Sequence, residues 1–413
     1  MQTATAKVEH LYVHVPFCAA KCDYCAFYSE TGAAAKMSGY VDAVLLELER
    51  SVAALAKRGH SLVPTTVFFG GGTPSIVTTS LMRRILDDMR RYLPLEGISE
   101  WTVECNPSTV STEKARLFRE SGVNRISMGV QSLDDDFLKR IGRIHTVKAG
   151  VESYEKLRRA GFDNVNLDLM FGLPGQTMEH WRTTLRRAIE LQPEHISAYC
   201  LILEEDTVFW RLHSRAGVPP AHSDNSRTGI LPVHPGSQTS SDDGQARRLS
   251  YVPLPTDDEQ QLAMYETAIE ILAAAGYRQY EVSNFSMPSR ECVHNIAYWE
   301  GKDYIGLGPS ACSTVGSRRW QNVAEIDRYV EAISHRRSTI SFEETITPGL
   351  RAAERAAFGM RMTDGVPADL VRGRWDKQIA ELLSAELVQW RNNRLQPTKR
   401  GILFADEVAA AFV

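Results

Sequence analysis

The sequence predicts an α/β fold with a parallel sheet of six strands, on three observations. Six short, largely apolar segments, mostly rich in β-branched or aromatic residues, stand at 11–17, 66–69, 101–105, 125–130, 165–171 and 196–203. Helix-period patterns separate them, so the strands should pair in parallel through right-handed crossovers. Most of the polar motifs fall just after strand ends, where α/β sheets gather their chemistry. Six units form either an open doubly wound sheet or a partial barrel, two short of the closed eightfold form.

The intervening elements follow from spacing. Val41, Leu45, Leu48, Val52 and Leu55 line one face of a helix. Ser111 to Lys114 open another with capping residues and Gly122 closes it. Trp181, Leu185 and Ile189 mark a third. At 413 residues the chain should hold two or three domains. The expected organisation is a partial barrel over 1–212, a flexible insertion over 213–258, an accessory segment over 259–345 and a winged-helix-like unit over 346–413. The insertion is rich in Pro, Gly, Ser and Asp without periodicity. Its histidines, His222 and His234 among them, are not expected to bind metal, because such a segment does not fix their geometry. A helix pattern resumes at 259–275. In the last unit, helices at 351–362 and 379–387 precede a hairpin at 388–397 with an Asn-Asn turn, then one helix over 398–412.

Composition sets limits. Hydrophobic residues are 43% and charged residues 24%, as in ordinary globular proteins, and the net charge of −4 argues against a nucleic-acid partner. Without a basic recognition helix the winged-helix-like unit reads as a packing or protein-contact module. The N-terminus lacks a charged leader followed by an apolar run, and apolar runs are strand-sized, so a cytoplasmic protein is expected. Peripheral membrane contact and a homodimer both remain open.

Seven cysteines are present, three of them crowded as Cys18, Cys22 and Cys25. Without a disulfide framework, this cluster points to metal or redox chemistry in a reducing compartment. The C-x3-C-x2-C spacing on a loop directly after the first strand can ligate three irons of a [4Fe–4S] cluster and leave the fourth iron open. An open coordination position indicates catalysis, as in open zinc sites. A dithiol pair would leave Cys18 unexplained. A zinc site would need a fourth ligand, and His14 lies back in the strand.

Together with Tyr24 before the third cysteine, this loop resembles that of the radical S-adenosylmethionine (SAM) superfamily. The resemblance implies a partial (β/α)6 barrel, SAM chelating the open iron, and cleavage of SAM by an electron from the cluster. It assigns the Gly70–Gly71–Gly72–Thr73 turn to the SAM amino group, and Glu104, Gln131, Arg143 and Asp168 to its amine, carboxylate and ribose. Tyr12 and Ile202 are placed nearby.

The motifs HVPFC, CDYC, GGGTPS, ECNP, SMGVQS and DLMFGLPGQT narrow the resemblance to the oxygen-independent coproporphyrinogen III oxidase family and its heme-chaperone branch. The oxidase carries a further cysteine tied to activity where this chain has Phe27, and a longer arm before the cluster loop. Both departures turn the reading toward the chaperone, with decarboxylation of coproporphyrinogen III as the alternative and enzymatic activity left open. His294, Tyr298 and Trp299 form an H-N-x-x-Y-W motif that resembles the heme-binding motif of that branch. A histidine can ligate heme iron, and the aromatic residues offer stacking area. Cys312 stands where the family often has histidine, and Cys292 is an alternative thiolate. The implied partners are heme and a client protein that accepts it.

Overall fold

The computed structural model describes residues 6–31, 34–205, 207–215 and 256–413. Strands β1 (Ala6–Val15), β2 (His60–Gly71), β3 (Glu100–Cys105), β4 (Arg125–Gln131), β5 (Val165–Phe171) and β6 (His195–Cys200) lie side by side in chain order, each pair parallel. The last expected strand is shorter than its apolar run: residues 201–203 leave the sheet, and Ile202 with them.

The sheet continues past both edges. Beyond β6 come β8 (Asn284–Ser286) and then β7 (Arg278–Gln279), antiparallel. Beyond β1 comes β9 (Tyr304–Leu307), parallel to it. Then β10 (Cys312–Val315), β11 (Arg318–Asn322) and β12 (Ile340–Thr345) follow antiparallel. The 12 strands form one open sheet with β12 and β7 at its edges, so the fold is α/β with a partial (β/α)6 barrel. The stretch 259–345 therefore extends the barrel sheet on both sides.

Helices α1 (Ala34–Lys57), α2 (Thr79–Tyr92), α3 (Thr112–Glu120), α4 (Asp135–Arg140), α5 (Val147–Arg159) and α6 (Met178–Glu190) make the crossovers. Their starts are chemically marked. Ser111 accepts from the Lys114 N–H, and Thr177 with His180 forms a reciprocal capping box. Gly122, at φ +85°, ends α3 in the left-handed conformation glycine tolerates.

Helix α7 (Val208–Arg215) reaches three residues into the expected insertion, and Asp257 caps α8 (Asp258–Ala274) at its far end. Residues 216–255 of that insertion lie outside the described residues. Helices α9 (Val293–Trp299), α10 (Ile326–Ser334) and α11 (Pro348–Gly359) follow.

The C-terminal unit has its own core, including Met360, Val371, Ile379, Leu395, Val408 and Phe412. Its hairpin, β13 (Val388–Arg391) and β14 (Arg394–Pro397), turns at Asn392 and Asn393, whose φ values of 49° and 57° suit the primed turn that matches strand twist. The single helix expected over 398–412 is two, Lys399–Leu403 and Ala405–Ala410. Phe404, at φ −113° and ψ 39°, breaks it.

Among the described residues, no helix is long and apolar enough to cross a membrane.

Side chains alternate across the six central strands. Leu11, Val13, Val67, Phe69, Val103, Ile126, Met128, Leu167, Leu169 and Ile196 join the hydrophobic core. The alternate positions form one polar inner face: His10, Tyr12 and His14 beside Thr66, Phe68 and Gly70, then Glu100, Thr102, Glu104, Arg125, Ser127, Asn166, Asp168, His195 and Ser197. The barrel thus has a polar lumen, with a mouth at the strands' C-terminal ends and a floor at the other.

Candidate functional site at the barrel mouth

The cysteine loop leaves β1 at the mouth. Phe17 anchors its start, fully buried with its ring edge-on to Tyr40 at 5.4 Å. Residues Phe17–Cys18 pair with Glu30–Thr31 and close the loop at its other end. Cys18, Cys22 and Cys25 are all free thiols and partly accessible. The Cys18 Sγ lies 3.5 Å from the Thr73 hydroxyl, and the Cys25 N–H donates to the Cys22 carbonyl at 3.1 Å. Burial pushes the Cys25 thiol up, and the neighbouring Cys22 and Cys18 sulfurs add to it.

Among the described residues, no group of three or more His, Cys, Asp or Glu side chains is arranged to hold a single metal ion. Three cysteines on one loop could ligate three irons of a cluster.

Arg143 ties the loop to the barrel. Its guanidinium donates to the Cys22 Sγ at 3.4 Å and to the Gly129 carbonyl at 2.5 Å, and the Tyr24 phenol lies beside it. Burial alone would lower the Arg143 pKa, but Tyr24 and Cys22 outweigh it and hold the group charged. Gln131 adopts φ 65°, and its side-chain amide points to the same place: a Cβ on Gly129 would meet Gln131 Nε2 at 3.1 Å and Arg143 at 3.3 Å. A guanidinium and a carboxamide together suit a carboxylate.

The glycine turn ends β2. Gly71 sits at φ +102°, and a Cβ there would lie 2.5 Å from the His14 ring. A Cβ on Gly72 would lie 2.7 Å from the Phe17 carbonyl. The Gly72 and Thr73 N–H groups already donate to Val15 and Phe17 carbonyls at 2.9 and 2.7 Å. The turn is therefore glycine-rich so that it can lie flat against the cysteine loop. The Gly72 carbonyl, an acceptor, suits an amine.

Two carboxyls face the mouth. Burial pushes Glu104 up to about 8, Asp168's charge adds to it, and the Gly71 N–H opposes it. Burial raises Asp168 to about 6 against hydrogen bonds from Asn166 at 2.7 Å and Ser127 at 3.4 Å. Such half-satisfied carboxyls are suited to a cationic or hydroxyl-bearing ligand. Tyr12 lies deeper, its hydroxyl 3.1 Å from His14 Nδ1 and its ring stacked on Phe68 at 6.2 Å. Ile202 stands apart from this group, 65% exposed beyond β6. Sequence reading passed over Ser127, Asn166 and Ser197, although each sits at a period-two position with the residues above.

The H-N-x-x-Y-W motif forms α9 at the floor, not the mouth. Glu100 receives the Val293 and His294 N–H groups at 2.8 and 3.0 Å and the Cys292 thiol at 3.4 Å. His294 Nδ1 is 2.8 Å from the Thr66 hydroxyl, and its ring stacks on Phe68 at 5.2 Å. Burial lowers its pKa to about 3, with His10 and Arg125 contributing. The space beside the ring is about 10 Å³, room for little more than a water.

On the other side of Tyr298 and Tyr304 lies a larger cleft of about 250 Å³. Tyr298, Trp320, Phe342 and Phe358 line it, with Cys312, and Lys302, Arg319 and Arg351 at its edge. Trp299 packs beneath against Phe358 at 6.4 Å.

The family model described as the radical SAM superfamily matches residues 12–188. The heme chaperone HemW of Bacillus subtilis is 32% identical, over 97% of this chain and 98% of its own. The heme chaperone HemW of Escherichia coli is also 32% identical, over 98% of this chain and 97% of its own. The solved structure of coproporphyrinogen III oxidase (HemN) from Escherichia coli covers 98% of this chain and 90% of its own, with a TM-score of 0.77 and 22% identity. At that identity the likeness shows the fold.

Proposed function

The chain belongs to the HemW family, within the radical SAM superfamily, and from that premise we propose that it is a heme chaperone that binds heme and passes it to a client protein. Cys18, Cys22 and Cys25 would hold a [4Fe–4S] cluster at the mouth. The Gly71–Gly72–Thr73 turn, Glu104, Gln131, Arg143 and Asp168 would bind SAM, with Tyr12 and Tyr24 around them. The bound cluster would supply one electron to SAM. Glu104 and Asp168 would hold the cationic and hydroxyl groups, and Arg143 with Gln131 the carboxylate.

The observation that carries the chaperone reading is the separation of the two sites. The α9 motif, with His294, Tyr298 and Trp299, lies at the level of His10, which pairs with Tyr304, and its cleft runs from there to Cys312, at the level of Tyr12. The cysteine loop starts beyond Val15. Five residues of extended strand span roughly 17 Å. A porphyrin held near α9 is far outside the approximately 3–3.5 Å at which reacting atoms must meet. It would be carried there, not converted.

The test is hemin titration of cluster-loaded protein, followed by mixing with a heme-free acceptor. Stoichiometric binding and transfer are expected. A Cys18→Ser variant should lose the cluster and keep hemin. Failure to bind hemin would overturn the reading. The shared fold with the oxidase favours a second reading, radical decarboxylation of coproporphyrinogen III. Phe27, 56% exposed on the cysteine loop, stands where the resemblance puts an activity-linked cysteine.

A further inference from the structure

We propose that the cleft formed by β10, β11, β12 and α11 is the seat of the heme, with Cys312 as the iron ligand. This rests on the heme-carrier reading and goes past it by naming the pocket and the donor atom.

The cleft has the chemistry of a flat, apolar ligand with an anionic edge. Tyr298 and Phe358 stack at 6.3 Å and 25°, and Trp320 and Phe342 complete the apolar walls. Phe342 is 48% exposed at the cleft and offers apolar surface to a ligand there. At the rim, Lys302 and Arg351 pair with Glu300 and Asp303 at 3.4 and 3.3 Å. Such surface pairs are worth only about 0–1 kcal/mol, so a propionate can replace either carboxylate. Arg319 is committed to Glu344 and Glu354 at 2.8 and 2.6 Å, which leaves Lys302 and Arg351 as the cations open to a propionate. At about 250 Å³ the cleft is slightly smaller than the roughly 300–1,000 Å³ that encloses a drug-sized ligand. It would cover part of a porphyrin and leave the rest accessible, as transfer requires.

Cys312 lines this cleft as a free, partly accessible thiol. A thiolate is an established axial ligand for heme iron. On binding, the thiol proton passes to solvent and a sulfur lone pair fills the iron's axial position, with no change of oxidation state. His294 has no comparable access. Its Nδ1 is held by Thr66, its ring lies against Phe68, and the space beside it is about 10 Å³. It could meet a porphyrin only if α9 left the floor.

The test uses full-length, cluster-loaded protein with added hemin. Electron paramagnetic resonance of the ferric complex and the carbon monoxide spectrum of the ferrous complex distinguish thiolate from imidazole ligation. Wild type should show thiolate. Cys312→Ser should lose that signature and bind hemin about tenfold more weakly, with cluster absorbance unchanged. Cys312→His should convert the signature to imidazole. Trp320→Leu should weaken binding and keep the thiolate signature. Thiolate ligation that survives Cys312→Ser, or an imidazole signature in wild type that His294→Ala removes, would overturn the proposal. Unchanged affinity in Trp320→Leu would also overturn it. A wild-type protein that binds no hemin would instead overturn the chaperone reading itself.

Discussion

The two ends of the barrel lumen use the same residue types to opposite ends. At the floor, Glu100 is saturated by two N–H groups and a thiol, His195 by Asn166 at 2.6 Å and Tyr280 at 2.8 Å, and His294 by Thr66. Arg125, fully enclosed near the charges of Glu100 and Asp168, is the exception: its Nε has no hydrogen-bond partner among the described residues. At the mouth, Glu104 and Asp168 sit at about 8 and 6 because burial is incompletely repaid by partners. A satisfied polar network closes and rigidifies a structure, whereas an unsatisfied one is held ready for a ligand. The difference separates a structural floor from a binding mouth within one continuous polar surface.

The sharpest way to separate the ends is to break each alone. Cys18→Ser should abolish cluster absorbance after anaerobic reconstitution and leave hemin affinity within about twofold, measured by titration. Next in size, Arg125→Leu should destabilise the fold in urea unfolding, because it removes the buried positive charge beside Glu100 and Asp168. A stability within 1 kcal/mol of wild type would show that the floor network is not structural.

The mouth should respond to pH. Glu104 has a folded value near 8, above its ordinary 4.5, so in the ligand-free protein it is mostly protonated at pH 6–7. A cationic SAM group requires the carboxylate, so binding should release a proton. Affinity should rise about tenfold per unit as pH increases from 6 toward 7, then flatten near 8. Glu104→Gln should remove that slope in calorimetric titrations.

The floor should also weaken on acidification, through a shift of opposite sign. His294 is neutral in the fold, with a pKa of about 3 against an ordinary 6.5. The unfolded chain takes up a proton below pH 6.5 and the folded chain does not. Stability from this site is therefore full above pH 6.5 and declines as pH falls toward 3. Hydrogen exchange should show α9 opening early on acidification. His294→Ala should weaken hemin binding several-fold by loosening α9, with cluster absorbance intact.

Much of this was legible in the sequence for physical reasons. The central strands present one face to the crossover helices, so apolar residues mark each of them, and Ser111, Thr177 and Gly122 mark helix ends by capping chemistry. The cysteine loop is local, and three ligands within eight positions need no tertiary knowledge. The polar lumen was harder to see. Its signal, polar residues at every second position as in Glu100, Thr102 and Glu104, is obscured by the apolar residues between them. The floor was invisible, because the contact of His294 with Thr66 and Glu100 spans nearly 200 residues or more. The break at Phe404 and the extension of α7 to Arg215 were missed because boundaries depend on packing more than on composition.

The most direct test of the carrier account is anaerobic incubation of cluster-loaded protein with SAM, a reductant and coproporphyrinogen III, followed by porphyrin analysis. The account predicts that coproporphyrinogen is recovered unchanged, while the same preparation binds hemin and gives it up to a heme-free acceptor. Accumulation of protoporphyrinogen would contradict it and place the substrate at the mouth.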